Sequence, residues 1–124
     1  MNISALIIAE LNSLFGGRVY EAATPDDLEK DANGRPLPFA LFTIVGGQDS
    51  EYVDQTMGTH SNARVQIQAV SPSVLEADSL IRAARDKLLA SEYTVGVYGS
   101  PVGTYDAARK LHGRFQQLGI WYRV

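Results

Sequence analysis

Cysteine is absent from this chain of 124 residues. That removes disulfide frameworks, thiolate metal sites and cysteine nucleophiles together, and it suits a reducing cytoplasm. Long hydrophobic runs are lacking too. Ala5-Leu6-Ile7-Ile8-Ala9 is too short for a signal peptide and follows no basic region. Nothing approaches the length of a membrane span, so no membrane partner is expected. Histidine is scarce: only His60 and His112 occur, neither inside a recognisable catalytic signature. Nucleophilic catalysis needs a base held beside its nucleophile, and no such arrangement is written here.

The motifs that come nearest to chemistry fail on detail. Gly99-Ser100-Pro101-Val102-Gly103 resembles a nucleophile elbow, but its serine follows the first glycine directly and proline occupies the centre. Glu29-x-Asp31-x-Asn33-Gly34 matches the first half of a calcium loop. The twelfth position, which must be a bidentate acid, is Ala40. Neither glycine-rich phosphate cradle is present. The sequence therefore predicts no catalytic residue, no metal and no cofactor. A net charge of −3 without a wide basic patch argues against a dedicated nucleic-acid binder.

What is present is one well-patterned unit. In Ala63–Val70, Val65, Ile67 and Ala69 alternate with Arg64, Gln66 and Gln68, the period of a half-buried strand. After Ser71-Pro72-Ser73, the residues Val74, Ala77, Ile81, Ala84 and Leu88 recur at spacings of three and four, as on the buried face of a helix. Either Ser71, with Pro72 in the first turn, or Ser73, with Glu76 three residues on, can cap that helix, and the pattern does not choose.

The other segments arrange themselves around this unit. Asn2 or Ser4 caps a first helix with the stripe Ile3, Leu6/Ile7, Leu11 and Leu14/Phe15, ended by Gly16-Gly17. Arg18–Tyr20 reads as a short strand, and Thr24-Pro25-Asp26-Asp27 as the start of a brief helical turn that Asn33-Gly34 and Pro36 cut short. Pro38–Val45 is a strand, Gln48–Asn62 a long polar loop, and Tyr93–Tyr98 a strand. Gly99–Gly103 reads as a turn, Asp106–Lys110 as irregular chain, and about Arg114 to Val124 as the last strand. In that strand Trp121 lies opposite Leu118, Ile120 and Tyr122. This requires a bulge near Gly119 or an exposed aromatic, with core packing the expectation for Trp121. The fold class expected is α+β, a mostly antiparallel β-sheet with two helices packed on one face. Length fits one domain, 1–124, able to bury roughly two-thirds of its unfolded surface.

Charge is divided unevenly. Residues 1–62 hold 3 Lys/Arg against 9 Asp/Glu, a net −6, and residues 63–124 hold 8 against 5, a net +3. Two readings fit: chance placement on two solvated faces, or a subunit with one acidic and one basic flank able to pair head to tail. The candidates for that contact are Asp49, Glu51 and Asp54, with Tyr52 as an aromatic anchor, against Arg109, Lys110 and Arg114.

With these segments placed, the chain resembles the tail-terminator (tail-completion) proteins of long-tailed bacteriophages and related prophages. The likeness lies in the opening helix running into Leu14-Phe15-Gly16-Gly17-Arg18-Val19-Tyr20, then Leu37-Pro38-Phe39-Ala40-Leu41-Phe42. It continues in Arg64-Val65-Gln66-Ile67-Gln68-Ala69 with Glu76-Ala77 in the following helix. The resemblance implies a structural virion protein without enzymatic activity. Such a protein forms a six-subunit ring that caps the tail tube at its neck end and is assembled in the bacterial host cytoplasm. Its implied partners are itself, the tail tube protein and a head-completion or neck protein, with DNA only passing through the channel. The alternatives are another neck component, such as a head-completion or minor tail protein, and a small-molecule-binding α+β module with its pocket between sheet and helices.

Overall fold

A computed structural model of the chain describes residues 2–46 and 60–123. Its elements are α1 (Ile3–Leu11), β1 (Val19–Glu21), β2 (Phe39–Gly46), β3 (His60–Ser71), α2 (Val74–Leu89), β4 (Thr94–Asp106) and β5 (Leu111–Arg123). The five strands form one sheet in the order β1-β2-β3-β5-β4, antiparallel except for the β1–β2 pair. The expected α+β architecture is the one observed.

The alternating residues of β3 explain the layout. Val65, Ile67 and Ala69 are fully buried on one face, beneath Ala77, Ile81, Ala84 and Leu88 of α2. Leu6, Ile7 and Leu11 of α1, with Phe15 beyond it, join the same core, so both helices cover one side of the sheet. Asn2 caps α1, its Oδ1 accepting from the amides of Ser4 at 2.9 Å and Ala5 at 3.3 Å. Gly16 and Gly17 then take left-handed φ values of 57° and 86°, turning the chain into β1.

Both serines before α2 are used. Ser73 is the N-cap, accepting from the Glu76 amide, while Ser71 accepts from the Ser73 amide and donates 2.5 Å to the Glu76 carboxylate. The Glu76 side chain thus reaches Ser71 instead of closing a box on Ser73.

Several boundaries differ from the sequence reading. No helix starts at Thr24. Residues 22–29 are irregular, and 30–36 form a small loop closed by a Lys30–Pro36 bridge, with Asp31 accepting from the amides of Asn33 and Arg35. Its cap residues serve a strap rather than a helix, because Leu28 packs on the far face of the sheet with Phe39, Val70 and Leu111. β3 begins at His60 rather than Ala63, so residues 60–62 belong to a strand and not to the long loop. The ladder to β5 runs the whole way, from His60 opposite Arg123 to Ser71 opposite His112. Gly99–Gly103 is not a turn but lies inside β4, where the register shifts between Tyr98 and Val102. β4 then continues to Asp106, and β5 starts at Leu111 rather than Arg114, leaving only 107–110 as the connecting turn. No register shift occurs at Gly119, and Trp121 is 41% exposed, so the expected core packing of that ring is replaced by exposure.

The centre of this packing is testable. Ile67→Ala removes a fully buried side chain from the middle strand, and chemical denaturation should show a loss of about 2–5 kcal/mol.

Candidate interaction surface

The four expected acidic-side residues, Asp49, Glu51, Tyr52 and Asp54, lie outside the described residues. The basic side is placed in detail. Arg109 and Lys110 occupy the β4–β5 turn, where Asp106 Oδ1 accepts from the amides of Ala108 at 3.1 Å and Arg109 at 3.2 Å. Lys110, the last residue of the turn, holds a left-handed φ of 56° just before the chain enters β5. Arg114 is separated from this pair by strand alternation. It points to the helix face, with Nε 3.6 Å from Asp78 of α2, over Gly103, where a Cβ would collide with the guanidinium. His112 shares that face and stacks on Tyr105 at 4.7 Å between centroids. The sequence cluster Arg109–Arg114 is therefore split: Arg109 and Lys110 stay together at the tip, while Arg114 is engaged within the chain.

Arg109 also borders a groove of about 300 Å³ with Asp26, Asp27, Leu28 and Lys30 of the strap. The acidic and basic halves of the sequence thus meet inside one molecule. No carboxylate among the described residues forms an ion pair with Arg109 or Lys110.

The sheet face away from the helices is covered by the strap only near Phe39 and Val70. Elsewhere it is polar and aromatic. Arg64 lies 4.5 Å over the Tyr98 ring, a cation–π contact. Gly119 lies beneath that ring, where an added Cβ would stand 2.9 Å from Tyr98 Cε2. Gln68 donates to the Thr104 hydroxyl at 3.0 Å, bracing β3 to β4 across β5. Trp121 stands exposed at one end.

Gln116, which carries no marker in the sequence, is 1% exposed within the helix-side layer. Its Nε2 donates to the carbonyls of Tyr98 and Gly99, both at 2.9 Å, and so holds the kink in β4. Its Oε1 is buried without a partner among the described residues. Only the alternation of Gln116 with Leu118 and Ile120 pointed inward, and that pattern reads more simply as a polar position near a strand start.

The arrangement offers binding surfaces and little chemistry. Burial and then the carboxylates of Glu92 and Glu10 push the Tyr93 phenol above its ordinary range, away from use as a base near neutral pH. Among the described residues no three His, Asp or Glu side chains are grouped to hold a metal. The groove lined by Phe39, Gln68, Thr104 and Arg109 measures about 110 Å³, and the strap groove, at about 300 Å³, lies at the lower limit for small-molecule sites. No helix among the described residues is long and apolar enough to cross a membrane.

The family described as Tail completion protein gp17 matches residues 4–123. Among solved structures, a chain from the virion of a native gene transfer agent particle superposes with a TM-score of 0.56, covering 92% of this chain and 84% of that one. At 15% sequence identity that likeness is one of fold. No curated protein matches.

The Gln116 clamp gives a test that needs no relative. Gln116→Met keeps the volume and removes both donors to the β4 kink. Both bonds are part-buried, so denaturation should show a loss of roughly 1–3 kcal/mol. Amide exchange over residues 98–102 should quicken, and unchanged exchange there would refute the clamp.

Proposed function

This chain belongs to the Tail completion protein gp17 family, and from that membership we propose that it caps the finished phage tail tube as a ring of six copies. In this reading the ring ends tail elongation at the neck and supplies the surface that joins tail to head. The family assignment makes the protein a structural component of a phage tail, working alongside other virion proteins. The match over residues 4–123 carries the proposal, because it spans every element from α1 to β5. We read 1–124 as one domain acting by contact and not by catalysis, assembled in the host cytoplasm, with the tail tube protein and a head-completion protein as partners. DNA passes through the channel without being read.

Physical features of the subunit support the ring. Copies joined by a rotation that closes on itself meet through two unlike patches. Residues 47–59 hold three acids and no Lys or Arg, and the turn carries Arg109 and Lys110 side by side, which supplies unlike charge. We assign Asp49, Glu51, Tyr52 and Asp54 of one copy to a contact with the basic tip of the next. Arg109 and Lys110 suit that role better than Arg114, which already faces Asp78.

Purified tail tubes mixed with the protein and viewed in negative stain provide the test. Discs with a central hole should sit at one end of the tubes, and bare tube ends at saturating protein would overturn the capping role. A variant with Asp49, Glu51 and Asp54 all changed to alanine should lose the discs; unchanged discs would remove the loop contact while leaving the capping role.

A further inference from the structure

We propose that the outer edge of β4 is a strand-addition site for a second copy of this chain, taken up by that copy's β2 edge at Thr43–Gly46. The inference rests on the self-assembly in the ring reading and names the surface that would join the copies. β4 is an edge strand of 13 residues, and from Thr94 to Tyr105 it carries no charge. Such an edge presents a row of unpaired amides and carbonyls, which proteins usually blunt with charge when it must stay unpaired. The opposite edge of the sheet is open as well: β1 pairs only with Ala40–Phe42 of β2, and no strand among the described residues flanks Thr43–Gly46. That stretch is also uncharged. One molecule therefore carries both halves of a strand-to-strand junction, on opposite edges of the same sheet.

Exposed apolar surface is concentrated at these edges. Val97, Tyr98, Val102 and Tyr105 on β4, Trp121 on the adjoining β5 and Val45 on β2 are six of the ten large hydrophobic side chains exposed among the described residues. The topology sets the direction. β2–β3, β3–β5 and β5–β4 are all antiparallel pairs, so β2 and β4 run in opposite senses. A head-to-tail neighbour that continues the sheet pairs β4 antiparallel to β2, the slightly more stable pairing per residue.

In a flush register, Gly96–Tyr98 lies level with Thr43–Gly46. The kink between Tyr98 and Val102, where Gly99 has a φ of 74°, then falls where β1 occupies the β2 edge. Pro101, which cannot donate to a ladder, sits in that gap. The kink thus limits addition to one half of β4. This register brings the basic tip toward the Val19 end of the neighbour's β1 and away from the end of β2 that leads into residues 47–59. The strand junction and the loop contact proposed above are consequently separable.

The absence of cysteine makes the test direct. A Val45→Cys/Val97→Cys double variant, added to tail tubes and treated with a short bis-maleimide, should give a covalent ladder extending beyond dimer, with each single variant staying monomeric. Val97→Lys should lower disc formation on the order of tenfold, whereas Leu75→Lys, on the exposed side of α2, should leave it unchanged; circular dichroism confirms that both fold. Dimers from Val97→Cys alone would mean a two-fold β4–β4 contact and would overturn the proposed partner edge. Discs without a ladder would overturn the strand junction and leave the ring standing. Tubes with neither discs nor ladder would remove both.

Discussion

The structure depends on one constraint, the requirement that β3 bury a single face while paired on both edges. Every second residue from Ala63 to Ala69 is apolar and almost fully buried. A one-residue slip against β2 or β5 would turn that set toward solvent, so the register of the whole sheet is strongly specified. α2 follows β3 after only two residues and lays Ala77, Ile81, Ala84 and Leu88 over the same face. Alanine at two of these four positions lets the helix approach the sheet closely. α1 fills the remaining space with larger side chains, Leu6, Ile7, Leu11 and Phe15, and both amphipathic stripes are satisfied on one side.

The other side of the sheet is organised differently, and that difference suits a protein that works by contact. One end is closed by the strap: Leu28 packs with Phe39, Val70 and Leu111, and Arg18 ties the strap to the sheet by donating 2.7 Å to the Pro38 carbonyl and approaching Glu29 at 3.6 Å. At the other end, among the described residues, the face is covered only by its own side chains, with Arg64 on Tyr98 and Trp121 exposed. Here the buried amide of Gln116 is spent on shaping the edge strand.

Charge behaves similarly. The acidic first half and basic second half look in sequence like two separate flanks, yet the fold brings Asp26 and Asp27 of the first half to the same groove as Arg109 of the second, while Arg114 faces Asp78 of its own half. The part-exposed Arg114–Asp78 pair contributes little to stability. Its effect is to engage Arg114 within the chain, leaving Arg109 and Lys110 of the β4–β5 turn without an ion pair among the described residues.

The sequence by itself determined the α+β class, the β3–α2 unit and the buried face of each helix, because periods of two and of three to four residues record local burial directly. It also carried the resemblance that the family match upholds, through short stretches such as Phe15-Gly16-Gly17-Arg18 in which turn geometry constrains residue type. Only the tertiary structure decided the rest. Thr24-Pro25-Asp26-Asp27 has every local mark of a helix start, but the strap's docking of Leu28 on the sheet overrides it. Gly99-Ser100-Pro101 has the composition of a turn, but pairing with β5 on either side makes it a kink in one long strand. Arg109 and Arg114 are five residues apart and look like one cluster, but the turn places Arg109 beside the strap while β5 points Arg114 toward Asp78 of α2. In each case the deciding partner is far away in sequence, so no local pattern could contain the answer.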